Sequence, residues 1–271
     1  MDKIRFDQIS LPDVLYKYRS WQHPDHKKIL TNYEIYFSSP FELDEHHECL
    51  VEIDTDYITQ DNLYKYFDNK TPLSQFSSKE QREEYIQKLI KEAPLHNPEY
   101  REEVAKDARK KLNDQVSIFC ASEKRDNLNL WTTFGVDLEG FCVGFNTREM
   151  FINEEIFGSG GPVTYEHHKL KPFYLDACQR IVDMSKVIFN LDKKFKNENE
   201  YRLSKFFLQE KKIKLNPSAF KELILGPNIE EDDKMEILEV VQQTLPKINI
   251  FQAKFHEDLE TFSFQTIHAE R

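Results

Sequence analysis

Apolar and polar residues alternate with a period of two in short runs toward both ends of the chain, and recur with a helical period between them. Leu15-Tyr16-Lys17-Tyr18-Arg19, Ile35-Tyr36-Phe37-Ser38-Ser39 and Leu50-Val51-Glu52-Ile53 read as strands, with a short helix over His26 to Asn32 between the first two. Ser78-Lys79-Glu80-Gln81 forms a capping box, so a helix is predicted to about Glu92, stopping before Pro94. Asn97-Pro98 supplies a cap and a first-turn proline for another helix, along which Tyr100, Val104, Ala108 and Leu112 share a stripe. Strand signals return at Val116–Cys120, Gly140–Phe145 and Val163–Tyr165. A helix is expected from Pro172 to Leu191, on the stripe Tyr174, Cys178, Ile181, Met184, Ile188 and Leu191. Beyond it lie strands at Glu200–Phe207, Ile213–Leu215 and Leu223–Leu225, a helix over Glu231–Leu245, and strands at Ile248–Phe255 and Thr261–Ile267. The acidic first turn and the Pro246 stop bound that last helix. Strands flanking clustered helices without steady βαβ alternation predict an α+β fold with a mixed or antiparallel sheet. The chain reads as one domain over 1–271, its core formed by 1–60 and 115–271 and its charged segment 61–114 a helical insertion or lid.

Composition narrows the picture. Aromatic residues make up 13% of the 271, enough to build a sizeable core, while seven glycines leave little room for a Gly-rich phosphate loop. Gly140 and Gly144, which flank one apolar strand, read as bulge or close-packing positions. A formal net charge of -11 argues against general affinity for nucleic acid or anionic membranes, without excluding a local basic pocket. Cys49, Cys120, Cys142 and Cys178 form no Cys-x-x-Cys motif, and three of them lie in apolar runs where Cys packs as a small core residue. Without a leader-like or membrane-length apolar run, the expected location is the cytoplasm.

Several segments carry a family resemblance: LYKYRS at 15–20, ILTNYEIYFSSPFE at 29–42, SIFCASEKRDNLNLW at 117–131, EGFCVGF at 139–145, NENEYRL at 197–203 and FKELILG at 220–226. They resemble the bacterial domain-of-unknown-function family 2971 along the whole chain. Two departures stand out. The family tends to follow its Phe-Ser-Ser-Pro run with Phe-Asn-Asp-Pro-Phe, where this chain has Phe41-Glu42-Leu43-Asp44-Glu45, and Phe134 stands where a Tyr is frequent after the Trp.

A more distant resemblance implies chemistry. ADP-ribosyltransferases order along the chain a His or Arg on an early strand, an aromatic or Ser on a later one and a Glu near the end. Here Tyr18-Arg19, Tyr36-Phe37-Ser38-Ser39 and Glu198-Asn199-Glu200-Tyr201-Arg202 follow that order. The resemblance implies a split-sheet fold and NAD as substrate, in a toxin or antiphage effector acting on an unknown macromolecular target. Glu200 would steady the oxocarbenium-like ribose as nicotinamide leaves, and Glu198 would serve as a base for the acceptor. Arg19 would anchor the diphosphate or the adenosine ribose. Tyr36 would stack on nicotinamide and Ser38 would bond its ribose or amide, with Tyr18, Ser39, Trp131 and Arg202 completing the nucleotide pocket.

Each residue also has a plain structural reading. On a strand, Glu200, Arg202 and Ser204 share one face, with Glu198 in line if the strand begins early, and two carboxylates beside a guanidinium suit an ordinary cross-strand salt bridge on a solvated sheet face. Arg19 suits a stack on neighbouring aromatics or a pair with Glu200 itself, Ser38-Ser39-Pro40 a strand end capping the next turn, and Trp131 the core. Two further functions stay open: a catalytically inert nucleotide-binding module, and a metal-dependent hydrolase or nuclease built on His46, His47 and nearby carboxylates, with His167-His168 as a second cluster. Placement decides between them. Glu200 facing Arg19 with Ser38 in reach of one ligand favours the enzyme; Arg19 and Glu200 on opposite sides of the sheet removes its basis.

Overall fold

The computed structural model describes residues 11–44, 48–152, 158–166, 177–208 and 210–267. In chain order its elements are β1 (Val14–Arg19), α1 (Pro24–Thr31), β2 (Glu34–Tyr36), α2 (Pro40–Asp44), α3 (Gln60–Lys70), α4 (Lys79–Lys91), α5 (Pro98–Gln115), β3 (Val116–Ser122), α6 (Leu128–Thr133), β4 (Phe141–Asn146), α7 (Thr147–Phe151), β5 (Ser159–Pro162), α8 (Ala177–Ile188), β6 (Glu200–Phe206), β7 (Lys212–Lys214), β8 (Phe220–Leu225), α9 (Glu231–Thr244), β9 (Asn249–His256) and β10 (Thr261–Ile267). This is an α+β fold. Among the described residues no helix is long and apolar enough to cross a membrane.

Contacts divide the chain into two compact units. The first takes in 1–38, 116–163 and 194–271; the second takes in 39–115 and 164–193. The second unit therefore contains the expected insertion 61–114 and reaches beyond it on both sides.

In the first unit eight strands form one sheet in the order β10-β9-β8-β4-β1-β3-β6-β5, antiparallel except for β8 and β9. Alternation along each strand sorts side chains onto two faces. Leu15, Phe119, Phe141, Val143, Phe145, Leu203 and Leu223 lie on one face and pack with Ile29 and Leu30 of α1 and Ile237 and Val241 of α9. Tyr16, Tyr18, Cys142, Ile224 and Ala253 lie on the other and pack with Leu130 and Trp131 of α6. Gly140 and Gly144 are close-packing positions, as expected. A Cβ on Gly140 would stand 2.2 Å from the Arg19 carbonyl oxygen, and one on Gly144 2.6 Å from Cγ of Glu222.

The sheet splits between β1 and β3. Those strands pair at a single position, Tyr16 with Ser122, although β1 pairs with β4 along its whole length. Further along β3 the partner is Ser38: its N–H donates to Ile118 at 2.8 Å and its carbonyl accepts from Ile118 at 2.7 Å. β2 reaches that bridge after pairing with β7, Tyr36 opposite Lys212, so the segment 34–38 passes from a two-stranded sheet to β3 at the split in the large one.

The second unit is mainly helical. Leu63 of α3 and Ile86 and Ile90 of α4 form its small core with Ala93. The capping box at α4 holds: Ser78 Oγ accepts the Gln81 N–H at 3.2 Å, while the Gln81 side chain reaches one residue further back, to the N–H of Ser77, at 3.0 Å. Asn97 caps α5 through the Glu99 N–H at 2.9 Å. Two expected strands are absent as strands. Ile53 makes an isolated bridge in place of a strand over 50–53, and Thr164 bridges Asn190 where 163–165 was expected to extend; the nearby strand is β5, four residues earlier. α3 was not foreseen: only Leu63 of its eleven residues is fully buried, so its sequence carries little helical stripe.

Candidate functional site

β1 alternates, so Leu15, Lys17 and Arg19 share the face that carries Phe145, Val143 and Phe141 on β4. Lys17 lies at the split, where its Nζ donates to the carbonyl of Cys120 on β3 and sits 5.2 Å over the Phe119 ring. The Arg19 guanidinium donates to the Tyr18 carbonyl at 3.2 Å. α1 covers this face and adds His26, whose Nδ1 is buried without a hydrogen-bond partner. Neither Lys17 nor Arg19 is ion-paired among the described residues.

Lys17, Arg19 and His26 are each half-buried, and the Arg19 charge bears on the other two. Burial, then the Arg19 charge, brings Lys17 down to about 7, against the opposing pull of the Cys120 sulfur, Glu200 and Glu198. Burial lowers Arg19 to about 10. Burial, then Arg19 and His23, lowers His26 to about 4. Concentrating cations without a paired carboxylate is costly, and an anion placed between them would relieve that cost.

Glu200 and Arg202 lie on the opposite face. β6 pairs with β3 so that Ser122 stands beside Glu200 and Cys120 beside Arg202, and Ser122 in turn shares its face with Tyr16. Arg202 donates twice to Glu200, Nε to Oε1 at 2.9 Å and an Nη to Oε2 at 3.1 Å, with Glu200 7% exposed and Arg202 fully buried. Ser204 continues the row, its hydroxyl 2.7 Å from that of Ser159 on β5. The structural alternative was a cross-strand pair on a solvated face; the pair observed is two-point, within one strand and buried.

The expected constellation is therefore not assembled on one face. Arg19 and Glu200 stand on opposite sides of the sheet, which corrects their assignment to one cleft. Ser38, through its bridge to Ile118, falls on the side of Glu200 and Arg202. Tyr36 has the same parity as Ser38 and is 39% exposed. Glu198 is corrected too: it ends a 3-10 turn over Lys193–Glu198, and Asn199 at φ 46° turns the chain before β6 begins, so Glu198 is not in line with the strand. Ser39 opens the second unit, where the Glu42 carboxylate accepts its N–H at 2.8 Å, a capping role. Tyr18 and Trp131 are core residues in place of pocket walls. They meet edge to face at 5.0 Å, Tyr18 donates to the Lys124 carbonyl at 2.6 Å, and Trp131 donates to that of Arg125 at 3.0 Å. The His46-His47 and His167-His168 clusters lie outside the described residues.

Sequence reasoning missed Lys17 and His26. The signal for Lys17 was present, since it precedes Arg19 by two on an alternating strand and must share its face. His26 had none, because only the packing of α1 brings it there. Set against known proteins, the chain has no match among family models, curated proteins or solved structures.

Proposed function

We propose that the split-sheet unit binds a phosphate-bearing nucleotide, with NAD the first ligand to test, and holds it without cleaving it. The observation that carries this reading is the pair Lys17 and Arg19 on one face at the split, neither of them ion-paired to a carboxylate among the described residues. A diphosphate accepts two-point contacts from a guanidinium and a point contact from an ammonium, which is what Arg19 and Lys17 offer. The carboxylate that cleavage would need is occupied: Glu200 is buried in its pair with Arg202.

The second reading is the ADP-ribosyltransferase-like enzyme, favoured by the chain order Arg19, Ser38, Glu200 and by a sheet that divides between the first of these and the others. Kinship with family 2971 is likewise a proposal, resting on the segments that resemble it. One experiment separates the two functions. NAD, ADP-ribose and inorganic pyrophosphate are each added to the purified protein while its melting temperature and nicotinamide release are followed. Binding without turnover predicts a rise in melting temperature with all three, lost in Arg19→Ala, and no nicotinamide. Release by the wild type that disappears in Glu200→Gln would overturn the conclusion in favour of the enzyme. No stabilisation by any of the three would remove both.

A further inference from the structure

A cavity of about 700 Å³ opens at the C-terminal end of β1, walled by Trp21, Phe134 and Val136 and rimmed by Glu139, Glu230 and Asp233. No lysine or arginine among the described residues lines it, and two histidines stand in its wall. His23 Nδ1 accepts the Asp25 N–H as the cap of α1, and burial with the neighbouring Arg19 holds His26 down at about 4. The carboxylates are not consumed by the fold. Glu230 stands at the N-cap of α9 but makes no capping hydrogen bond, and neither it nor Glu139 has a side-chain partner among the described residues. Asp233 accepts the Gln22 amide at 2.6 Å.

The backbone holds the aromatic wall in place. Val136, Asp137 and Leu138 run at φ 48°, 51° and 73°, three successive left-handed residues without a glycine. The turn is tied down by the Leu138 carbonyl to the Asn228 N–H at 3.0 Å and the Asp137 carbonyl to the Asn228 amide at 3.1 Å. It leaves Phe134 and Val136 46% and 45% exposed at the cavity. An anion entering here would meet carboxylates and, among the described residues of the lining, no lysine or arginine. A flat cation would find a π face and two unpartnered acceptors.

We propose that this cavity receives the guanidinium of an arginine side chain presented by a basic peptide or protein, stacked on Phe134 and hydrogen-bonded to Glu139 and Glu230. Guanidinium suits it better than ammonium because it is planar and offers paired donors to carboxylates. The inference does not rest on the nucleotide reading, since neither Lys17 nor Arg19 takes part.

The chain holds two tryptophans, whose indole N–H groups report from different places. That of Trp21 lies in the cavity wall, bonded to Glu236 at 2.7 Å, and that of Trp131 lies in the opposite core, bonded to the Arg125 carbonyl. N-acetyl-arginine methylamide is titrated into the full-length ¹⁵N-labelled protein beside its neutral isostere, N-acetyl-citrulline methylamide. The expected result is a saturable shift of the Trp21 resonance, with that of Trp131 unmoved and the citrulline compound binding at least about tenfold more weakly. Glu230→Gln and Phe134→Ala alter exposed side chains and should each weaken the arginine compound roughly three- to tenfold, with the Trp131 resonance unchanged as proof of folding. Equal binding of the two compounds, no saturable shift up to roughly 20 mM, or full affinity in both variants would overturn the proposal.

Discussion

At the scale of single residues, the energetic asymmetry between Glu200 and Lys17 decides what each is for. Glu200 is desolvated beside a fully buried guanidinium that holds both of its oxygens. Removing the carboxylate takes a two-point contact from the buried Arg202 guanidinium, so Glu200→Ala should cost about 3 kcal/mol in denaturant unfolding, and the double change Glu200→Leu with Arg202→Met considerably less. A double variant as unstable as the single one would mean that the pair is not the unit of stabilisation. Lys17 is the reverse case, a cation lacking the carboxylate that burial would ordinarily demand. Its folded-state pKa near 7 lies below the unfolded value, so above about pH 7 Lys17 in the free protein is largely neutral while Arg19 keeps its charge. A bound diphosphate would restore the charge, and binding would then take up a proton. Affinity for ADP-ribose should therefore fall as pH rises from about 7 to 9, by at most about tenfold per pH unit. In Lys17→Gln the same titration should be weaker and flat, which calorimetry at two pH values can check.

At the scale of elements, the clearest departure from local preference is the left-handed turn after α6. A left-handed conformation costs an L-residue roughly 1–2 kcal/mol, most for a β-branched one, and glycine is spared that cost while losing more chain entropy on folding. Val136→Gly should accordingly raise stability by about 0.5–1 kcal/mol, read from the denaturation midpoint at constant slope. A loss of that size would mean that the Val136 side chain contributes packing which its 45% exposure does not suggest. This turn was illegible in the sequence. Phe134-Gly135-Val136-Asp137-Leu138 has one glycine, and that glycine is not among the left-handed residues. The strands were legible as short apolar runs that match burial, as in β4, which is buried at every residue from Phe141 to Phe145. The caps at Ser78 and Asn97 were legible because they depend on contacts within four residues. What failed was long-range. Single-sequence parity places Arg19 relative to Tyr18 and Glu200 relative to Arg202. It cannot say which face of one strand matches which face of another, because that is fixed by the Tyr16–Ser122 register. The expected site was lost at that step.

At the scale of the whole molecule, the proposed anion site works against the protein's own field. A net charge of -11 repels a diphosphate at long range, while Lys17 and Arg19 attract it at contact. Salt acts unequally on the two. The screening length shrinks from about 30 Å at 10 mM to about 8 Å at 150 mM ionic strength, which removes most of the long-range repulsion but touches the partly buried contacts less. The association rate constant for ADP-ribose should therefore rise between those two salt concentrations, and the dissociation rate constant should rise with it as the local attraction weakens somewhat. An ordinary basic site on a basic protein behaves otherwise, because there salt slows association. Stopped-flow measurement at the two ionic strengths distinguishes the cases. A rate constant that falls with salt would place the ligand where the local field already dominates the approach, as in a deep basic funnel. One that rises would fit a small buried cationic site on an acidic molecule, whose selectivity lies in Lys17 and Arg19 at contact and not in electrostatic steering.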